Sequence, residues 1–121
     1  MKAGLLIGGS EQGTLGRLSA VFWKDIKKGR SIKKFLKVIQ DELEILVEQR
    51  NDVIKEYGED GSLQVEMEGY ADAMQKIVEI QEQDIELSDV PELSDDDLVS
   101  PEGWNAYDLT VLEGLGLLKE E

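Results

Sequence analysis

The 121-residue sequence lacks both cysteine and histidine. Without cysteine the chain can form no disulfide and offers no thiolate for catalysis or metal binding. Without histidine it has no imidazole to transfer protons near neutral pH, and structural zinc, which thiolates and imidazoles bind, is excluded as well. These absences exclude most nucleophilic and metal-dependent catalysis. We therefore expect a protein that is not an enzyme and binds no cofactor.

Long hydrophobic runs are missing too. The longest one near the start, Leu5-Leu6-Ile7, is far shorter than a signal-peptide core or the roughly 20 residues of a membrane-spanning helix. Hydrophobic residues nevertheless make up 40% of the chain and charged residues 33%, which is typical of a soluble domain that folds. We expect one domain over residues 1–121 and no membrane partner.

A long amphipathic helix is the strongest structural prediction. Between Ser31 and Gly58 apolar residues recur at alternating intervals of four and three, and no glycine or proline interrupts them. About 26 helical residues would form a rod of roughly 40 Å. Other helices or a partner must cover its broad apolar face, which comprises Ile32, Phe35, Leu36, Ile39, Leu43, Leu46, Val47, Val53, Ile54 and Tyr57.

Two or three shorter helices are expected to pack on this rod. The first begins with Thr14 as its N-cap, ends at Gly29 and carries an apolar stripe of Leu15, Leu18, Phe22 and Ile26. The second covers residues 70–78. A last helix begins either at Ser100-Pro101 or at Asn105, which can form a cap with Asp108.

Extended structure is predicted near the start and at two later positions. Residues 1–13 form an N-terminal arm, with a short strand or buried segment followed by a turn-prone loop at Gly8, Gly9 and Gly13. Residues 63–67 and 85–87 alternate between apolar and polar, and could pair into a small two-stranded ribbon. The predicted fold class is mainly α, with α+β at its margin.

Two polar connections complete the chain. Glu59-Asp60-Gly61 is predicted to form a turn, and residues 88–101 an acidic connection with at most one helical turn at residues 94–98. A calcium loop does not fit the first of these, because the pattern would place Gly58 at a ligand position and Met67 where a bidentate glutamate belongs. The Gly8–Thr14 segment has the spacing of a phosphate-binding loop but lacks its lysine, so a plain glycine turn is favoured.

The charge is strongly uneven along the chain. Residues 1–37 contain nine basic and two acidic side chains, a net charge of +7. The other 84 residues contain four basic and 25 acidic side chains, a net charge of −21, which brings the total to −14. Opposite poles of neighbouring copies would attract, so this asymmetry favours head-to-tail assembly.

A cluster of seven basic residues surrounds Gly29, where we expect an elbow between the first two helices. It predicts a surface that binds phosphates or acids, with Trp23 as a stacking platform. The alternative is a solvated elbow that the acidic half of the chain neutralises, and the net charge of −21 would repel a long nucleic acid. The cluster comprises Lys24, Lys27, Lys28, Arg30, Lys33, Lys34 and Lys37.

The acidic half suggests a different hypothesis. Carboxylates such as those of Asp95, Asp96 and Asp97 can imitate the phosphates of DNA, although the basic cluster would repel the same target, and ordinary solubility explains them as well. Trp104 lies beside Gly103 in a polar segment, where a large ring either folds back on the core or binds a partner.

Residues 15–115 resemble a family of short phage and prophage proteins of Gram-positive hosts whose function is unknown. The resemblance rests on the helix that ends Arg50-Asn51-Asp52-Val53-Ile54-Lys55-Glu56-Tyr57-Gly58, the turn after it, the Val65 strand, the helix over residues 70–80, Asp84-Ile85-Glu86-Leu87 and the Leu-rich end from Ser100-Pro101 to Leu112-Glu113. It implies a phage-encoded, non-enzymatic protein of the host cytoplasm or the virion, and transfers no site residues.

Three functions therefore stay open. The first is a protein-binding or virion assembly component that acts through a helical face and opposite charged poles, with a protein partner or a second copy. The second is an inhibitor of a host or defence protein, which could act by acidic DNA mimicry. The third is a small helical module that binds nucleic acid at the basic elbow.

Overall fold

The computed structural model describes residues 1–59 and 62–118. Within them the chain is mainly helical, as predicted, and one 3-10 turn covers Asp95–Asp97. No strand forms there, so the predicted two-stranded ribbon is wrong. None of the helices in these ranges is long and apolar enough to cross a membrane. The α-helices are α1 (Ala3–Glu11), α2 (Thr14–Ser19), α3 (Ile26–Tyr57), α4 (Tyr70–Gln81) and α5 (Ala106–Gly114).

Helix α3 confirms the predicted rod and its end at Gly58, but it begins earlier than expected. Asp25 caps its start, where the side chain accepts a hydrogen bond of 2.8 Å from the backbone N–H of Lys27. The helix continues through Gly29, whose N–H donates to the carbonyl of Asp25. The predicted elbow at Gly29 is therefore wrong. Helix α3 has 32 residues and is therefore about 48 Å long.

Gly29 is tolerated inside α3 because Trp23 packs directly against it. A Cβ atom there would lie 3.3 Å from Cβ and Cγ of Trp23, which is tighter than nine in ten real contacts of a Cβ atom. A helical glycine costs about 1 kcal/mol relative to alanine. Contact with the indole ring offsets that cost, so a residue that often ends helices here serves as a packing surface.

Helix α1 overturns the prediction of an N-terminal arm and glycine loop. It packs against α2, α3, α4 and α5 and lies at the centre of the fold, with Ala3 and Leu6 fully buried. Its glycines permit this close approach: a Cβ at Gly9 would lie 2.8 Å from Cγ1 of Val111, and one at Gly4 3.1 Å from Cβ of Gln81. Burial on several sides outweighs the low helix propensity of glycine.

The first predicted helix is shorter than its apolar stripe implied. Helix α2 ends at Ser19, and residues 20–25 link it to α3. Thr14 is its first helical residue and not its cap, a position that Gly13 occupies with φ of 85°. The stripe also breaks, because Leu18 is buried whereas Phe22 and Ile26 are exposed.

The two alternating segments have other roles. Residues 85–87 follow a bridge between Lys2 and Asp84, where the N–H of Ala3 donates to Gln83 and the N–H of Ile85 donates to Met1, at 2.8 and 2.7 Å. This segment thus holds the start of α1. Residues 62–69, which we call the acidic turn, connect to α4. Asp60 and Gly61 of the predicted turn lie outside the described residues.

The C-terminal part follows the second of the two predicted starts. Ser100-Pro101 forms only a turn, and α5 begins after Asn105, whose side chain accepts from the N–H of Asp108 at 2.8 Å. The single helical turn predicted within residues 94–98 is confirmed by the 3-10 turn. The core joins α1, α3 and α5 through fully buried side chains that include Leu6, Phe35, Ile39, Leu46, Val111 and Leu112.

Candidate protein-binding surface

The seven basic residues predicted as a cluster lie on the link before α3 and on its first turns. Because α3 is continuous there, Ile26, Arg30, Lys33 and Lys37 follow one another at intervals of four and three on one face. Of the seven basic side chains only that of Lys28 is partly buried. We call residues 22–37 the basic end of the molecule.

Two of these cations have acidic neighbours. Nζ of Lys28 lies 2.7 Å from Oδ2 of Asp97, and Nζ of Lys37 lies 3.5 Å from Oδ1 of Asp41 in an exposed pair. Within residues 1–59 and 62–118 no ion pair involves the other five cations, Lys24, Lys27, Arg30, Lys33 and Lys34. The acids of the described residues therefore pair with two of the seven cations and leave the other five available to a partner.

The acidic run, which consists of Asp95, Asp96 and Asp97, lies beside the basic end and not at the opposite pole of the molecule. A hydrogen bond from Lys28, together with those from Ser94, lowers the pKa of Asp97 to about 2. The same hydrogen bond raises the pKa of Lys28. Asp95 and Asp96 are exposed. Since Asp97 is paired with a cation of its own chain, these three carboxylates do not form a free acidic run.

Exposed apolar side chains interleave with the basic ones. Phe22 is 73% exposed, Ile26 70% and Val99 53%. Phe22 and Val99 line a cavity of about 330 Å³ together with Trp23, Lys24, Asp96 and Asp97. Isolated exposed apolar residues are common, but a group of them beside a cavity is typical of binding sites. We call Phe22, Trp23, Lys24, Ile26, Lys27, Arg30 and Val99 the basic-apolar surface.

Sequence reasoning found the cations and Trp23 but missed the apolar members. It assigned Phe22 and Ile26 to the buried stripe of one helix because their spacing continues that of Leu15 and Leu18. The available indication was Asp25, which precedes an amphipathic stretch and is a good N-cap residue. A helix that begins after Asp25 separates Ile26 from that stripe.

Trp104 belongs to the fold. Its indole Nε1 donates a hydrogen bond of 2.9 Å to the carbonyl of Leu98, and the partly buried ring packs against the hydrophobic core. Of the two alternatives, the side chain therefore folds back on its own chain. This hydrogen bond joins the acidic connection to the residue that precedes the N-cap of α5.

A second group of charged residues joins α2 and α5, and its carboxylate is buried. Asp108 is completely buried and accepts hydrogen bonds from the hydroxyl of Thr14 at 2.6 Å and from Nε of Arg17 at 2.9 Å. The backbone N–H of Asn105 adds a further bond at 3.0 Å. The Arg17 hydrogen bonds are the main cause that lowers the pKa of Asp108 to about 2.

Hydrogen bonds within the chain use both oxygens of the Asp108 carboxylate. Both carboxylate oxygens already accept hydrogen bonds from Thr14, Arg17 and Asn105, so little capacity is left for a substrate or a metal. The cluster is thus a clamp between two helices. In the part of the chain that the structure describes, no group of three or more carboxylates could hold a metal ion.

No family model, curated protein or solved structure matches this chain.

Proposed function

We propose that this protein is a non-enzymatic, protein-binding component of an assembly and that it binds an acidic protein surface. One observation supports the proposal above all others. Phe22 and Ile26 are about as exposed as any large apolar side chains in the described residues, and they lie among five cations that pair with no acid there. A partner that covers both kinds of side chain would gain apolar burial and charge complementarity together.

The apolar members distinguish a protein partner from a nucleic acid. Fully burying a phenylalanine side chain is worth about 2 kcal/mol, and such anchors dominate protein interfaces. Nucleic-acid binding depends mainly on cations that neutralise phosphates. Here Asp96 and Asp97 line the same cavity as Phe22 and Lys24, so the cavity accepts an uncharged apolar side chain of a protein partner better than a phosphate group.

The sequence resemblance to short phage proteins is compatible with an assembly component. In that setting the protein would act in the host cytoplasm or in the virion. The phage assignment stays a prediction, and it contributes no residue to the surface. The proposal depends on the geometry of the basic end alone.

Binding of a labelled peptide of alternating glutamate and valine tests the proposal. We expect fluorescence polarisation to show binding to the full chain at about 0.15 M salt, where distant charges are screened. Phe22→Ser should weaken it about tenfold, which corresponds to about 1.4 kcal/mol. Val78→Ser removes an exposed valine on α4 that is not part of the basic-apolar surface, so it should leave the affinity unchanged.

Two results would contradict the proposal. Absence of peptide binding at every salt concentration would exclude an acidic-apolar partner. Preference for a DNA duplex over the peptide, with Lys33→Glu and Lys34→Glu abolishing it, would instead support the nucleic-acid function. A peptide of glutamate and serine serves as a matched control, because it keeps the charge and lacks the apolar side chains.

A further inference from the structure

The other end of the molecule presents a surface of complementary chemistry. Val65 is 72% exposed in the acidic turn, and Glu66 and Glu68 on either side of Met67 are exposed as well. The turn has its own hydrogen bonds, with the N–H of Tyr70 donating to the carbonyl of Met67 at 3.2 Å. The acidic turn thus exposes one apolar side chain, that of Val65, close in sequence to two exposed carboxylates.

Helix α3 separates this turn from the basic-apolar surface. Phe22 lies four residues before its first residue, and the acidic turn follows its last residue, Tyr57, whose ring contacts Gly69. Helix α3 is about 48 Å long, so the two surfaces lie near its opposite ends. They therefore cannot meet within one molecule, but they can meet between two.

The two surfaces match in both charge and apolar character. Between residues 55 and 76, the exposed acids of the described part of the chain are Glu56, Glu59, Glu66, Glu68 and Asp72, and the cations are Lys55 and Lys76. The amino group of Lys76 lies over the ring of Tyr57, at 5.3 Å from its centre. At the basic end the cavity beside Phe22 is large enough for an aliphatic side chain. Lys24 lines it together with Asp96 and Asp97, and the charge of Asp97 is already paired with Lys28.

We propose that the occupant of the basic-apolar surface is the acidic turn of a second copy of this chain, with Val65 in the cavity beside Phe22 and Trp23. This inference rests on the proposed function and names its partner. Glu66 and Glu68 then face Lys24 and Lys27. The contact joins different surfaces of the two copies, so its repetition builds a ring or a filament.

The net charge of −14 does not prevent this contact. At physiological salt the Debye length is about 8 Å, so the acidic regions away from the contact are largely screened. The charges at the contact lie closer than that and still attract. Association should accordingly decrease at about 1 M salt, where the Debye length is about 3 Å.

Two variants, each altered at one end, provide the test. Phe22→Glu places a carboxylate where Glu66 would approach, and Val65→Lys places an ammonium where Lys24 would approach. Both positions are highly exposed, so folding should not suffer. In sedimentation velocity we expect the wild type to form larger species as its concentration rises, whereas each variant alone stays monomeric.

The mixture of the two variants gives the decisive result. The Phe22→Glu chain keeps an intact acidic turn and the Val65→Lys chain an intact basic-apolar surface, so these two unaltered surfaces form a contact. The two altered surfaces carry a new carboxylate and a new ammonium, which attract each other in the mixture and repel their partners in either variant alone. We therefore expect association at 1:1 stoichiometry in the mixture only. Ile45→Ser, at an exposed position in the middle of α3, is the matched control and should assemble like the wild type.

Other outcomes would overturn the inference. Unchanged assembly of Val65→Lys would mean that the acidic turn is not the occupant, and a wild type that stays monomeric at high concentration would exclude a second copy. If that monomer still binds the glutamate–valine peptide through Phe22, the proposed function stands and only the choice of partner fails. If it binds neither, both fail.

Discussion

Asp97 and Asp108 are held by the same local motif, yet they differ in what they do for the molecule. Each is the last residue of a capping box, and its carboxylate accepts from the backbone N–H three positions earlier, at Ser94 and at Asn105. Each carboxylate also accepts a hydrogen bond from a hydroxyl group. Each forms an ion pair with a cation that is far away in the sequence. The side chain of Asp97 is 19% exposed and that of Asp108 is 1% exposed.

Burial therefore decides how much the same capping motif contributes to stability. Around Asp108, water cannot replace a lost partner, so the clamp between α2 and α5 depends on the whole set of hydrogen bonds. Around Asp97, water and salt compete with Lys28, and the pair contributes little to stability. The pair at Asp97 instead shapes the basic-apolar surface, since Asp97 lines its cavity.

The largest effect is expected when the clamp is broken. Asp108→Ala leaves Arg17 without its carboxylate and Thr14 without its acceptor, and should lower the free energy of unfolding by about 3–5 kcal/mol. Urea denaturation measures the loss. Asp97→Ala is the matched control. Equal losses in the two variants would contradict the comparison.

Acid should reveal a smaller effect of the same origin. The pKa of each carboxyl group is about 2 in the folded protein, below its ordinary value of 3.8. The ionised groups therefore stabilise the fold above pH 3.8, Asp97 to a small extent because water screens its pair, and Asp108 much more. This stability is lost as the pH falls from 3.8 towards 2. The share of Asp108 is about 2 kcal/mol. Urea midpoints between pH 5 and pH 2 should fall less steeply for Asp108→Asn than for the wild type.

The smallest effect concerns binding. Asp97→Asn should leave the urea midpoint at neutral pH nearly unchanged, because the pair with Lys28 is accessible to water. It removes one negative charge from the cavity and frees the ammonium of Lys28. The affinity for the glutamate–valine peptide should therefore rise about twofold, as expected for one charge near a surface. A weaker affinity would show that Asp97 itself contributes to the binding surface.

Local patterns predicted the elements whose information is local. Helices α3 and α4 follow from apolar periodicity, and the start of α5 follows from the Asn105–Asp108 cap, since neighbours along the chain establish these features. Helix α1 could not be found in this way, because Gly4, Gly8 and Gly9 argue against a helix locally. Only contacts with Gln81, Tyr107 and Val111, far along the chain, explain them.

The candidate surface was predictable in part for the same reason. A run of seven basic residues is visible in the sequence, whereas the exposure of Phe22 depends on where α2 stops and α3 starts. The pairing of Lys28 with Asp97 joins residues 69 positions apart. No spacing rule relates them, so the acidic run could only be placed beside the basic end by the fold.

Composition and order alone determined that this chain has no thiol or imidazole chemistry and that its charge is asymmetric. They also determined that a long amphipathic helix runs from the basic part of the sequence into the acidic part. Those properties follow from residue identity and from a period of 3.6 residues. The tertiary structure decided that the glycine-rich start is the central helix, that Asp108 is a buried clamp and that Phe22 and Val65 are exposed at opposite ends. These properties depend on which distant side chains come into contact and exclude water, and local sequence does not encode that.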